Sequence, residues 1–404
     1  MTGSRRKPGP GEGTAPPDAP TTAPRALPAL TGLRFPCALA VFLSHLAYLG
    51  DLYQDRRAEL ATAGLALLGP MGVCCFFIIS GFVLTWSARP QDTASRFWLR
   101  RAARIYPAHI AVWCAMTAWI AAAAVSVPAS PQGPGVHWAP AVANLFLLHT
   151  WVPHGTYLVG VNTVTWSLAT EVFFYLLFPW LLPRVARIRP TRLWAAAGAC
   201  VASAWLIPAG SLLLQGAPIV QEGEAPPLEQ MWLFYFLPPA RLPEFVLGMI
   251  LARLVRQGNG VPLGPAVWGA ALPVSLVLGA AVLPAPFLGA AVPMVPAAAL
   301  VMATARADIT ARRCVLRAPR LVFLGEASYA FYLVHWPLIF SAHWLLGTPQ
   351  WPAYRVLGLV LLLFGLAVAV AALLHVGLEQ PVVRRLAGGR AGHRRTPSAR
   401  RSPG

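Results

Sequence analysis

The chain has 404 residues, 57% of them hydrophobic and only 11% charged, with a mean hydropathy of +0.58 and a formal charge of +18. A globular domain carries about 25% charged residues, so a soluble fold is excluded and long apolar runs take the place of the missing charge. The basic excess does not by itself mean nucleic acid, because a polytopic membrane protein also collects arginine in its cytoplasmic loops.

Residues Met1 to about Pro28 are rich in Pro, Gly, Ala and Thr around Arg5, Arg6 and Lys7, a composition that does not bury enough apolar surface to order itself. A spanning helix needs about 20 mainly apolar residues, and on that rule the chain divides into about ten. They run approximately Leu33 to Gly50, Leu65 to Trp86, Ile105 to Val127, Val164 to Leu182, Leu193 to Leu214, Trp232 to Leu254, Ala266 to Leu283, Phe287 to Ala305, Leu321 to Leu345, and Tyr354 to Val376. The short run Trp138 to Trp151 reads as re-entrant or interfacial, and Pro284 and Pro286 leave almost no loop between the seventh and eighth spans. The expected fold is therefore an all-α polytopic membrane helix bundle. Its membrane domain covers residues 29–385, between disordered tails at 1–28 and 386–404.

Loop charge orients the bundle. With the N-terminus inside, the outer loops hold only Arg56 and Arg57, with Arg355 at the edge of the last helix, and the other basic residues outside the spans fall on the inner side. The positive-inside rule then puts both termini in the cytoplasm. The six cysteines show no metal-ligand spacing, and no metal site follows.

Charge inside a span costs at least about 2.5 to 3.5 kcal/mol on insertion scales, so each such residue needs a reason. Arg34 and His45 stand 11 residues apart on the first helix, which puts them on one face about 16 Å apart. Glu171, on the fourth helix with Ser167 and Tyr175, lies at an outer-half depth similar to that of His45. The two fit either a general base with its orienting carboxylate or a buried polar pair joining two helices. Arg241 and Glu244, three apart on the sixth helix, read as an intrahelical ion pair. His335, just before Pro337 in the ninth span, reads as a packing or hydrogen-bonding residue beside a kink around a cavity. Arg100, Arg101 and Arg104 at the inner mouth of the third helix suit phosphates and equally suit simple positive-inside anchoring.

At these residues the chain resembles the acyltransferase 3 family of integral membrane O-acyltransferases. The resemblance is carried by Leu33-Arg34 through Ser44-His45; Phe76-Phe77-Ile78-Ile79-Ser80-Gly81-Phe82; and Phe97 through Arg100-Arg101 to Arg104-Ile105-Tyr106-Pro107. It continues in Trp166-Ser167-Leu168 with Glu171, Phe174-Tyr175 and Pro179, and in Leu324-Gly325 with Ser328-Tyr329, Tyr332-Leu333 and His335-Trp336-Pro337. Arg241 with Glu244-Phe245 and Gly248, and Glu379 with Pro381, look like weaker later signatures.

The resemblance implies transfer of an acyl group, often acetyl, from acyl-CoA as co-substrate to a hydroxyl of a glycan, glycolipid or glycoside. No permanently bound cofactor and no nucleic acid are expected. It also implies that His45 and Arg34, with Arg101 and Arg104, are essential. In the combined reading Arg101 and Arg104 hold the donor phosphates and His45 is base or transient acyl carrier, oriented by Glu171. Arg34 binds phosphate or polarises the carbonyl, and Ser167, Tyr175, Arg241, Glu244, Tyr329 and His335 support the site. A transporter or flippase of a glycosylated substrate is the competing reading, because buried charges and proline-broken spans also describe transporters. That reading calls for an internal repeat between halves, and none is evident.

Overall fold

The computed structural model describes residues 26–89, 92–125, 134–216 and 226–388. Most of both expected tails, 1–25 and 389–404, lies outside the described residues. Within them the chain is helical, with no strand beyond an isolated bridge between Tyr53 and Trp351. The long helices are α1 Pro28–His45, α2 Leu68–Ser87, α3 Ala94–Ala123, α4 Thr165–Ala186, α5 Leu193–Ser211, α6 Leu242–Arg256, α7 Pro265–Val282, α8 Ala291–Ile309, α9 Ser328–Leu346 and α10 Ala353–Leu374. The run Trp138–Leu145 is a short helix followed by a single 3-10 turn at His149–Trp151.

Among the described residues, eight helices are long and apolar enough to cross a membrane. They correspond to eight of the ten expected spans, and the protein is a multi-pass membrane protein. The other two expected spans are the ones the chain breaks. Around Trp232 to Leu254, a π-turn at Trp232–Phe236 and a 3-10 turn at Pro238–Arg241 precede α6. Pro238 disfavours a helical Leu237, which is extended at ψ 117, and the two prolines remove donors from the ladder. Around Leu321 to Leu345, the short helix Pro319–Glu326 ends before α9 begins at Ser328, whose hydroxyl bonds back to the Gly325 carbonyl at 2.8 Å.

The third span is also corrected at its start. α3 begins at Ala94, where the Thr93 hydroxyl caps the Arg96 amide, so Arg96 to Arg104 are helical rather than loop residues. Arg101 and Arg104 therefore share one helical face, three residues apart.

Lipid tails are as apolar as leucine, so helices in a bilayer associate through close packing rather than through the hydrophobic effect. Here glycines provide it. A Cβ on Gly81 of α2 would stand 1.9 Å from the Phe245 carbonyl oxygen of α6, and one on Gly248 of α6 would stand 2.0 Å from that of Ile78 in α2. α1 is held the same way, with Gly32 against the Leu316 carbonyl and Gly325 against that of Thr31. Its N-terminus is capped by Asp308, whose carboxylate accepts from the Ala29 amide at 2.9 Å and the Leu30 amide at 3.2 Å. A carboxylate there satisfies orphan amides and complements the helix dipole, and it fixes the helix that carries Arg34 and His45.

Prolines inside the spans free carbonyls four residues earlier, and side chains take them up. Pro337 leaves the Leu333 carbonyl without its helical donor, and the Asn162 amide donates to it at 2.9 Å. Pro179 does the same to Tyr175, whose carbonyl accepts from the Trp98 indole at 3.0 Å. α9 continues through Pro337 to Leu346 because that lost bond is replaced from α4's approach segment.

Candidate active site

α1 passes between α2 and α9, and its polar residues face two different surroundings. At its end, His45 Nδ1 lies 3.0 Å from His335 Nε2. His335 is fully buried, and its Nδ1 is 3.3 Å from the Phe331 carbonyl one turn earlier. That carbonyl accepts only, so Nδ1 of His335 carries the proton and its Nε2 accepts. His45 Nδ1 must then be the donor, and the lone pair of His45 rests on Nε2. Phe42 packs edgewise on His335, and Trp336 lies tilted 5.1 Å from the His45 ring.

Below the histidines, α1, α2, α3, α4 and α9 enclose a cavity of about 370 Å³. Arg34, Arg101 and Arg104 line it together with Glu171, Ser80, Tyr175 and Tyr329. Tyr332 and Ser167 also face it, with 2.7 Å between their hydroxyl oxygens, and the Tyr332 ring is 5.5 Å from that of His335. Tyr332 is thus the side chain between the arginines and the histidine pair.

The arginine cluster separates by role. Arg100 turns outward and pairs with Asp92 at 2.8 Å on the surface, whereas Arg101 and Arg104 turn into the cavity. Arg101 sits 5.9 Å above the rings of Phe97 and Tyr175. Its Nε is buried without a hydrogen-bond partner among the described residues, an unusual state for a guanidinium and one that an incoming anion relieves.

Glu171 does not orient His45. Its carboxylate accepts from the Ser80 hydroxyl at 2.9 Å and from the Tyr175 hydroxyl, inside the arginine cavity. Glu171 shares a level with Ser80 and Arg34 rather than with His45, and the partner that reaches His45 comes from α9 instead. Tyr329 donates to the Ile105 carbonyl at 2.8 Å and so ties α9 to α3 beside Arg104. Arg241 and Glu244 pair, as their spacing suggests, but across the junction of the 3-10 turn Pro238–Arg241 and the first turn of α6: two bonds of 2.6 and 2.8 Å join buried groups. Phe77, Trp166 and Tyr235 surround that guanidinium at 5.2 to 5.7 Å from their ring centres. Through Phe77 and Trp166 this pair packs behind the α2 and α4 walls of the cavity.

Tyr332, Ser80 and His375 were not singled out as site residues from the sequence. Tyr332 and Ser80 stood inside apolar motifs without a charge to mark them. The His375 and Glu379 pair, 2.8 Å apart, is brought together by a π-turn at His375–Glu379 that periodicity does not show.

The arrangement sets a cationic, partly enclosed cavity near the histidine pair in a helical membrane bundle. Residues 27–376 match the family described as acyltransferase domain; the chain belongs to that family and is an acyltransferase. It is 39% identical over 367 residues to acyltransferase MdmB of Streptomyces mycarofaciens, covering 89% of this chain and 92% of that one. It is 27% identical over 272 residues to the exopolysaccharide production protein ExoZ of Rhizobium meliloti strain 1021, covering 66% of this chain and 76% of that one. No solved structure matches the chain. Between enzyme and transporter, the family and the relatives decide for the enzyme.

Proposed function

We propose that the protein moves a short acyl group, such as acetyl, from acyl-CoA to a hydroxyl of a sugar, glycolipid, polysaccharide or glycosylated natural product. The observation that carries the reading is that Tyr332, which lines the cavity of Arg34, Arg101 and Arg104, lies 5.5 Å ring to ring from His335, the partner of His45. Coenzyme A is a cytoplasmic polyanion, and guanidinium forks match its phosphates. The loop charge puts both termini, and with them the mouth near Arg101 and Arg104, on the cytoplasmic side. The thioester then extends past Tyr332 toward the histidines.

In this mechanism His45 Nε2 takes the proton of the acceptor hydroxyl as its oxygen attacks the thioester carbonyl carbon. Arg34, which lines the arginine cavity, binds donor phosphate beside Arg101 and Arg104. The tetrahedral intermediate collapses by breaking the carbon–sulfur bond, and the thiolate leaves with the proton that His45 had taken. His335 holds the His45 ring in the tautomer that leaves Nε2 free. Ser80 and Tyr175 fix the Glu171 carboxylate beside the arginines, where it keeps the cavity from carrying an uncompensated triple positive charge. The name of ExoZ concerns a polysaccharide, which supports a glycan class of acceptor.

The test is label transfer. Protein in nanodiscs, given acetyl-CoA labelled in the acetyl group and a panel of glycosides, yields labelled acetyl-glycoside and free coenzyme A in equal amounts. Intact donor after prolonged incubation with every acceptor and with other short acyl-CoA donors overturns the proposal.

A further inference from the structure

A second and larger cavity, about 670 Å³, lies on the opposite side of the α1 and α2 contact from the arginine site. Its walls are apolar: Leu33 and Cys37 of α1, Met71 and Cys75 of α2, Leu272 of α7 and Leu300 of α8. The partition between the two cavities is tight, because a Cβ on Gly72 would stand 2.5 Å from the Cys37 carbonyl oxygen. On the other flank the groove is open. A Cβ on Gly264 or Gly269 meets nothing within 4 Å, and α7 is mostly unburied by protein.

Only one end of this groove is charged. Arg312 and Arg313, exposed in the turn after α8, line its rim. Among the described residues no acidic side chain pairs with either. The rim is on the side that loop charge assigns to the cytoplasm, and the apolar walls rise from it toward Met71 and Gly72 in the first turns of α2, level with Cys37 near the middle of α1. A cationic rim at the headgroup level over an apolar slot reaching mid-bilayer complements one molecule with an anionic head and a hydrocarbon tail. The arginine cavity differs, having Arg34, Arg101, Arg104, Glu171 and Ser80 set among its apolar walls.

We infer that this groove is a binding site for an anionic phospholipid of the inner leaflet, its phosphate on Arg312 and Arg313 and one acyl chain between α7 and the α1 and α2 pair. The bound tail then packs against the helix that carries Arg34 and His45 without entering the reaction cavity.

Native mass spectrometry of the full chain released from nanodiscs of mixed phosphatidylglycerol and phosphatidylcholine tests this. The wild type retains one phosphatidylglycerol, enriched at least tenfold over phosphatidylcholine. R312Q/R313Q, at exposed positions, lowers that preference to near unity, and Gly269→Phe, which fills the slot, removes the retained lipid of either kind. Equal retention of the two lipids by the wild type, or undiminished preference in R312Q/R313Q, overturns the inference. So does stoichiometric displacement of the phosphatidylglycerol by palmitoyl-CoA, which would make the groove part of the donor site.

Discussion

His45 and His335, 290 residues apart, share a 3.0 Å contact between Nδ1 and Nε2. The Phe331 carbonyl fixes the proton on the far side of His335, so the pair has one direction, with the proton on His45 Nδ1 and the lone pair on its Nε2. His335→Ala removes the acceptor that holds this tautomer. Because the ring acts through His45 and not on substrate, kcat is expected to fall by about tenfold to 100-fold, less than the roughly 10²- to 10⁴-fold of a lost general base, with KM for the donor unchanged. His335→Gln presents a carbonyl at the same height and recovers part of kcat. A loss confined to KM contradicts the positioning role.

Arg101 and Arg104 are expected to act on donor binding. A hydrogen bond to a charged group contributes about 1.5 to 3 kcal/mol, so R101Q or R104Q raises KM for acyl-CoA by about 10- to 100-fold and leaves kcat within a few-fold. Arg101→Lys keeps the charge without the planar fork and recovers only part of the affinity. Steady-state kinetics at varied acyl-CoA separates these outcomes, and an unchanged KM in both glutamine variants refutes the assignment.

Arg241 and Glu244 neutralise each other with no exposure to solvent. Breaking such a pair from one side leaves an uncompensated buried charge, at a cost of about 3 to 5 kcal/mol. Arg241→Met is therefore expected to abolish the folded protein or lower its Tm sharply in detergent. R241M/E244L is expected to be closer to wild type than Arg241→Met alone. A double variant no more stable than the single one contradicts this account.

How much of this was legible in the chain depends on what kind of signal each feature leaves. Spans such as that of Ala353–Leu374 announce themselves by length and apolarity, and the three-residue spacing of Arg241 and Glu244, opposite in sign, favours their pairing although Arg241 stands in the turn before α6. The breaks at Pro238–Pro239 and at Glu326–Ser328 were hidden because both lie within runs long enough to read as one span. His45 and Arg34 stood out by the cost of their burial, but the partner of His45 did not. Position along α1 or α4 is readable from residue counts, whereas the level, rotation and lateral placement of one helix against another come from packing such as that of Gly32 and Gly325, which no periodicity contains. Glu171 was thus placed beside His45, whereas it lies at the level of Ser80 and Arg34.

The Asn162 bond to the Leu333 carbonyl exists because Pro337 has no amide hydrogen to offer. Asn162→Ala leaves that buried carbonyl unpaired and is expected to destabilise the bundle by about 1 to 3 kcal/mol. Pro337→Ala restores the helical donor, so the Asn162→Ala effect shrinks in a Pro337→Ala background. Thermal or denaturant unfolding of the four proteins of this cycle in one detergent measures the coupling, and additive effects would contradict it.

The central claim is that His45 performs the proton transfer for acyl transfer from a donor held by the arginine cavity. It is tested most directly by comparing wild type and His45→Ala in nanodiscs, following both the binding of acetyl-CoA and the transfer of its labelled acetyl group to a glycoside. The account predicts that His45→Ala binds the donor with near wild-type affinity and loses transfer by about 10²- to 10⁴-fold. Transfer by His45→Ala within a few-fold of wild type would contradict it.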